Sequence, residues 1–432
     1  MILRPPLLLT TVGSWSLVFL AAFESLAVTA VMPDITADLD GRGLYSLAFS
    51  AALAAAVVGM VGFGSWADRR GPTVPLLLSI VVFAAGLLVS GTSAGMPMFV
   101  AGRFLQGLGG GGVTVALYVL VAMVYPAETH IKIFGAFASA WVLPSMVGPF
   151  VAGLVTTALS WHWVFLGVVA LVAVATVMVL PALRGRDRPP ADRVPMSGQD
   201  WGRLARAAVV AVSVVAMTAT PFAVVVAAFA LRGLLPQGTF RLRRGLPATV
   251  ALCGVAAGVY YGTDVYLPLL LHDEYGLPSW ISGMTLTTGA LAWAAASAVQ
   301  ARLGDRVDTR IAMMTGGVLL AGGAAVELAT AAWHLPAVVA ALGWCAAGAG
   351  MGTMFPRIST LVLAYSKPGE AGFNTASKSI TDAVGGSATL AVTGSLFTVA
   401  PFVGPFALTT VLGLLAIVIA ARVTLTKSLV NA

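Results

Sequence analysis

The segment Gly64-Ser-Trp-Ala-Asp68-Arg69-Arg70-Gly71 sets an Asp-Arg pair between two long apolar runs, and Ala301-Arg-Leu-Gly-Asp305-Arg306-Val-Asp308 does the same far downstream. Working outward, apolar runs fall at about 11–31, 45–65, 72–90, 98–124, 132–157 and 162–181. A second set falls at about 248–270, 280–299, 309–330, 335–362, 371–396 and 402–422. Both Asp-Arg pairs therefore follow the second run of a set of six. Such an internal repeat marks a membrane protein built from two related halves.

Composition agrees. Of the 432 residues, 59% are hydrophobic and 9% charged, against about 25% charged in a soluble domain. Twelve spans of ~20 residues account for the apolar runs, and long runs without alternation disfavour a membrane β-barrel. The fold class read from the chain is an all-α polytopic membrane protein. Soluble enzymes and nucleic-acid binders are set aside. The apolar N-terminal stretch has a signal-peptide look, but Thr11 to Val31 is too long and carries Glu24, so it reads as the first span.

The basic residues orient the chain. With the N-terminus inside, 20 of the 24 Lys and Arg fall in cytoplasmic segments, as the positive-inside rule requires. Only Arg42 lies outside, and Arg103, Arg357 and Lys378 lie within spans. Both termini are then expected in the cytoplasm of a cell whose inner membrane holds the protein. The expected organisation is a six-helix half over 1–181, a linker over 182–246 and a second six-helix half over 247–432. Within the linker, residues 207–235 are apolar and interrupted by Thr218, Thr220 and Pro221. One crossing there would invert the second half, so a short helical hairpin is expected, with helices of ~14 residues and ~21 Å.

The first Asp-Arg segment matches the G-x-x-x-D-R-x-G signature of the major facilitator superfamily, and the chain resembles that family along nearly its whole length. Arg103-Phe-Leu-Gln106-Gly107 looks like the family's R-x-x-Q-G element. Pro144-Ser-Met-Val-Gly148-Pro149-Phe-Val-Ala-Gly153 is similar to the antiporter signature G-x-x-x-G-P-x-x-G-G, with Pro144 and Ala152 replacing two glycines. Gly148, Pro149 and Gly153 suit a bend and a close helix contact. The region from Glu24 to Pro33, the turn Trp161-His-Trp-Val-Phe165 and the extra hairpin resemble the fourteen-helix drug:proton antiporters, with a shortened central loop. The resemblance implies the major facilitator fold, two six-helix halves related by a pseudo-two-fold axis. It also implies an inner gate at Gly64, Asp68, Arg69 and Gly71, with Asp305 and Arg306 as the second copy, and a gate loop that docks near the start of span 11.

Charged groups within the hydrocarbon are costly and tend to be functional. Glu24 lies about 11 Å below the outer end of span 1 and Arg103 about 8 Å into span 4, so the two can meet. In the resembling family an acid near this position takes up the proton. An opposite charge and burial act on a carboxylate in opposite directions, so a contact that changes with conformation changes its proton affinity. The alternative is a fixed pair that only ties two helices together. Asp264 reads as a second proton site, a cation-attracting group or an interfacial residue. Asp382, with Lys378 one turn earlier and Arg357 on span 10, reads as an interhelical ion network or as part of the transport path. Glu327 reads as interfacial. Trp15, Phe23, Trp141, Tyr260 and Tyr261 are candidates for an apolar cavity wall.

The expected function is that of a proton-coupled antiporter exporting hydrophobic small molecules by alternating access. It works as a monomer in the lipid bilayer, with protons and substrate as partners and no nucleic acid. The alternatives are a lipid or glycolipid exporter of the same fold and a polytopic membrane enzyme. No cofactor is expected. Gly107-Leu-Gly-Gly-Gly-Gly112 lacks the Lys-Ser/Thr of a phosphate loop and reads as close helix packing. His130, His162, His272 and His334 are scattered, so no metal site is read. Cys253 and Cys345 read as buried free thiols.

Overall fold

In a computed structural model of the chain, residues 7–125, 127–183, 196–217, 220, 222–303, 306–366 and 370–423 are described. Six long helices fill the first half: α1 (Leu7–Asp38), α2 (Tyr45–Arg70), α3 (Thr73–Gly91), α4 (Met96–Val124), α5 (Ala127–Ala158) and α6 (His162–Leu183). Two shorter ones follow, α7 (Gly198–Ala216) and α8 (Ala223–Leu231). The second half holds α9 (Leu246–Asp264), α10 (Tyr266–Asp273), α11 (Ser279–Leu303), α12 (Thr309–Trp333), α13 (Ala337–Ala364), α14 (Ala371–Val399) and α15 (Val403–Ala420). The regular structure among the described residues is all helical, as the composition leads one to expect, and each of the twelve expected spans coincides with a helix or, for the seventh, with the α9–α10 pair.

Helix ends follow local chemistry. Asp308 caps α12, its carboxylate accepting from the Arg310 and Ile311 amides at 2.8 and 3.2 Å, which satisfies donors that the first turn leaves free. Proline stands in the first turn of α4 and of α9, where its missing N–H costs no bond. Gly71 ends α2 with φ 96°, a backbone region that side chains resist and glycine tolerates. Among the described residues, ten helical stretches are long and apolar enough to cross a bilayer. The spans α11 and α14 fall short because Ser, Thr and, on α14, Lys378 and Asp382 dilute them.

The hairpin region differs from expectation. Helix α7 starts well before residue 207 because Ser197 and Asp200 build a capping box: Asp200 accepts from the Ser197 amide and hydroxyl at 2.8 and 2.7 Å, while Ser197 accepts from the Asp200 amide at 3.3 Å. Helix α8 has 9 residues, about 13.5 Å, too short to cross ~30 Å of hydrocarbon. Most of the expected turn, residues 218, 219 and 221, lies outside the described residues.

The chain divides into two compact units, Met1–Val212 and Ser213–Ala432. In the first, α4 packs between α2 and α3, and α1 packs on α5 and α6. In the second, α13 packs between α11 and α12, and α9 packs on α14 and α15. The same packing scheme is thus built twice.

Glycine sets its register. A Cβ on Gly107 or Gly111 would collide with the carbonyls of Ala52 or Ala56 on α2, and one on Gly109 with the backbone of Phe83 on α3. In the second unit, Gly348 and Gly352 press on Gly289 and Trp293 of α11, and Gly350 on Gly316 and Leu320 of α12. Lipid tails supply no hydrophobic drive between helices, so close backbone contact carries the association. The glycine run in α4 is therefore a packing stripe.

Candidate functional site

The most charged spot inside the first unit is a buried chain of polar groups. Arg103, Glu24 and Gln106 are 4%, 4% and 3% exposed, so each has to find its partners within the protein. The Arg103 Nη1 donates to Glu24 Oε1 and to Gln106 Oε1. Its Nε donates to the Ala48 carbonyl at 3.4 Å, and Gln106 Nε2 donates to Ser90 Oγ at 3.2 Å. One guanidinium thereby links α1, α2 and α4, and Gln106 extends the chain to α3. Sequence reading singled out Glu24 and Arg103. Gln106 and Ser90 were missed as partners, although Gln106 follows Arg103 by three residues and so shares its helix face.

On α1, Trp15, Phe19 and Phe23 stack at successive turns, with ring centroids 5.1 and 6.4 Å apart. Trp15 Nε1 donates to Ser139 Oγ of α5 at 3.3 Å. Gly148 of α5 faces the Phe23 ring, which a Cβ there would touch at 3.6 Å. Pro144 and Pro149 lie within a continuous α5, and Gly148, Pro149 and Gly153 are buried. Trp141 is 48% exposed on the same helix, apart from the α1 ladder.

The corresponding region of the second unit is aromatic. Tyr260 packs edge-on to Trp293 at 5.1 Å and against Trp344 at 4.7 Å, and Tyr261 stands edge-on to Tyr260 at 6.0 Å. Trp344 Nε1 donates to the Leu286 carbonyl at 3.2 Å. Asp264 is 6% exposed at the end of α9.

The trio of Arg357, Lys378 and Asp382 takes separate partners. The Lys378 ammonium lies 3.6 Å from the centroid of the Phe355 ring, a cation–π contact. Asp382 accepts from Cys253 Sγ at 3.8 Å. Arg357 donates to Gln300 at 2.7 Å and to the Val307 carbonyl at 3.2 Å, tying α13 to the α11–α12 turn. These contacts are separate, but Lys378 also stands close enough to Asp382 for the two charges to interact, while Arg357 reaches the α11–α12 turn.

Glu327, six residues before the end of α12, is sealed among the helices. It is 0% exposed in α12, and neither carboxylate oxygen has a hydrogen-bond partner among the described residues. The Trp344 amide faces it at a geometry short of a hydrogen bond.

At the Asp-Arg loop, Arg69 pairs with Asp200 and donates to Ser197 Oγ at 3.4 Å, joining the end of α2 to the start of α7. Hydrogen bonds from Ser197, with Arg69 and Arg203 nearby, hold the Asp200 carboxyl below the usual carboxylate range. Gly64 is buried where a Cβ would press on Val115, and Asp68 is exposed. Of the second copy, Arg306 is exposed and Asp305 lies outside the described residues.

The Major Facilitator Superfamily profile matches residues 14–377. The chain belongs to the Major Facilitator Superfamily. It is thus a multi-pass membrane protein of that superfamily. Among its relatives, the multidrug transporter protein MdtP of Bacillus subtilis is 22% identical over 404 residues, covering 88% of this chain and 73% of that one. The efflux pump FUS6 of Gibberella moniliformis is 29% identical over 191 residues, covering 43% of this chain and 33% of that one. The chain spans 30% of the length of an Aspergillus aculeatus transporter from the acurin A biosynthesis cluster, at 30% identity. Among solved structures, a D-xylose–proton symporter superposes with a TM-score of 0.70 at 14% identity, over 96% of this chain and 98% of that one. The human organic anion transporter MFSD10 superposes with a TM-score of 0.67 at 16% identity, over 96% and 100%. At such identities the likeness is one of fold. The major facilitator fold of this superfamily member accounts for the twice-built packing scheme.

Proposed function

We propose that this major facilitator protein is a proton-coupled antiporter that exports hydrophobic small molecules by alternating access, with Glu24 taking up the proton. The observation that carries the reading is the buried Glu24–Arg103–Gln106–Ser90 chain, in which the Glu24 carboxylate depends on one guanidinium. A helix movement that separates α1 from α4 leaves Glu24 without its counter-charge and favours its protonation; restoring the contact favours release. Trp15, Phe19 and Phe23, at successive turns of one α1 face that adjoins Glu24 in sequence at Phe23, offer apolar rings to a substrate. Tyr260 and Tyr261 are proposed as the aromatic surface of the second unit, with Asp264 and Asp382 next in line for the proton. Asp68 and Arg69 are proposed as inner-gate residues at the cytoplasmic face, where both termini also lie. The name of the efflux pump FUS6 supports an export reading and that of the multidrug transporter MdtP a drug-like substrate class.

Everted membrane vesicles to which fluorescent dyes, antibiotics or labelled lipids are added outside, with and without a pH gradient, test it. Gradient-dependent uptake of apolar cations or neutral dyes is expected, and Glu24→Gln abolishes it while leaving substrate binding intact. Gradient-driven accumulation by Glu24→Gln would place the coupling site elsewhere.

A further inference from the structure

Beside the short helix α8, the chain makes a basic cleft to which no transport role attaches. It encloses about 420 Å³ and is lined by Arg232, Pro236, Phe240, Arg241 and Arg243, among others. Its floor is a defined turn. Gly238 takes φ 92° and Leu242 φ 50°, the Arg241 and Arg243 amides both donate to the Gly238 carbonyl at 3.0 and 3.2 Å, and the buried Thr239 hydroxyl donates to the Pro236 carbonyl at 2.7 Å. Arg243 lays its aliphatic stem over Gly238, where a Cβ would come within 2.6 Å of its Cδ. The turn thus fixes the backbone of Arg241 and Arg243 in the lining, to which the end of α8 adds Arg232.

Two observations say what fits there. From Trp201 to Thr263 the sequence contains no Asp or Glu but has arginines at 203, 206, 232, 241, 243 and 244. None of the three cleft arginines pairs with a carboxylate among the described residues. The cleft thus presents uncompensated guanidinium groups, whose planar fork suits phosphate oxygens. Immediately before it, α8 exposes Phe222, Val225 and Phe229, at 82%, 65% and 72%. Arg232 lies 5.9 Å from the centre of the Phe229 ring, so charge and apolar surface adjoin within one helical turn. At about 13.5 Å, α8 matches the depth of a single leaflet's hydrocarbon.

We propose that this cleft binds the phosphodiester headgroup of an anionic phospholipid, whose acyl chains lie along the exposed face of α8. A soluble phosphate would use the arginines and leave α8 without a role; a zwitterionic lipid would use α8 and bring a cationic head to a cationic cleft.

The test uses the purified full-length protein in detergent, titrated with phosphatidylglycerol and with phosphatidylcholine of the same chains, with adducts read by native mass spectrometry. Selective retention of phosphatidylglycerol is expected. The combined Arg232→Gln, Arg241→Gln and Arg243→Gln variant should weaken it about a hundredfold, at roughly fivefold per charge. Should that variant fail to fold, the exposed Arg241→Gln alone should still cost about fivefold. Inorganic phosphate at millimolar concentration should not displace the lipid. Equal retention of phosphatidylcholine, displacement by phosphate, or an equal loss from Arg203→Gln with Arg206→Gln would each overturn the proposal. The first makes the contact non-selective, the second makes the site one for a soluble anion, and the third reduces it to general charge.

Discussion

Trp344 stands in the second unit where Arg103 stands in the first. Each lies four residues before the first glycine of a G-x-G-x-G stripe, Gly107-Leu-Gly109-Gly-Gly111 and Gly348-Ala-Gly350-Met-Gly352, and the stripes press on equivalent neighbours. Arg103 donates to the Ala48 carbonyl on α2, and Trp344 to the Leu286 carbonyl on α11. By the same register, Glu327 occupies the place of Ser90: a Cβ on Gly102 would meet Ser90 Oγ, and one on Gly343 would meet Glu327 Oε1. Ala347 falls where Gln106 donates to Ser90. One scaffold thus holds an ionic chain in one unit and an aromatic cluster in the other, which confines the proposed proton chemistry of this register to the first.

Removing one member of the buried pair should cost more than removing both. Arg103→Ala leaves the Glu24 carboxylate buried without its counter-charge, a loss of about 3 to 5 kcal/mol, read as a lower melting temperature in detergent and less folded protein. The double variant Glu24→Gln with Arg103→Gln should recover most of that stability and none of the gradient-driven transport. If the double variant is no more stable than Arg103→Ala, the ion pair is not what holds α1 to α4.

The glycine stripes should tolerate no methyl group where backbone faces backbone. Gly107→Ala and Gly348→Ala drive a Cβ into the Ala52 or Gly289 carbonyl, and overpacking of this kind costs about 1 to 3 kcal/mol. Gly110→Ala is the control, since its nearest neighbour would be the Phe83 ring at 3.8 Å. Size-exclusion profiles of the three variants check this. A Gly107→Ala profile matching that of Gly110→Ala would show that the helices can separate without cost.

Glu327→Met should stabilise the protein. The carboxyl of Glu327 is buried with both oxygens unbonded, and removing an unsatisfied polar group while keeping its volume recovers about 1 to 3 kcal/mol. Thermal unfolding in detergent measures the gain, and a fall in melting temperature would mean that the carboxyl has a partner.

The contact of Arg69 with Asp200 should hold across the neutral pH range. Because the Asp200 carboxyl sits below its usual range in the folded protein, the contact contributes stability above the unfolded carboxylate value, about 3.9, and loses it as pH falls through the lower folded value. With Arg69 a quarter exposed, the pair is worth about 1 kcal/mol at most. Limited trypsin digestion after Arg203 and Arg206 should therefore be equally slow at pH 6 and pH 8, and faster at both in Asp200→Asn. A cleavage rate in the wild type that rises between pH 8 and pH 6 would contradict this assignment.

The twelve apolar runs, the two-half repeat and the similar depth of Glu24 and Arg103 follow from the chain alone. Apolar run length records the bilayer thickness, and depth along a span brings two opposite charges to one level whichever way the helices turn. Which groups then pair is decided by helix rotation and close packing, which no spacing records. Lys378 and Asp382 lie one turn apart on α14, and the lysine also meets the Phe355 ring because α13 brings that ring within its reach. Glu327 is near a helix end, yet it is sealed because Gly343 lets α13 close over it. Arg69 finds Asp200 because the capping box at Ser197 starts α7 early enough to bring that carboxylate to the end of α2. Long side chains reach several partners at small cost, so tertiary packing alone selects among them.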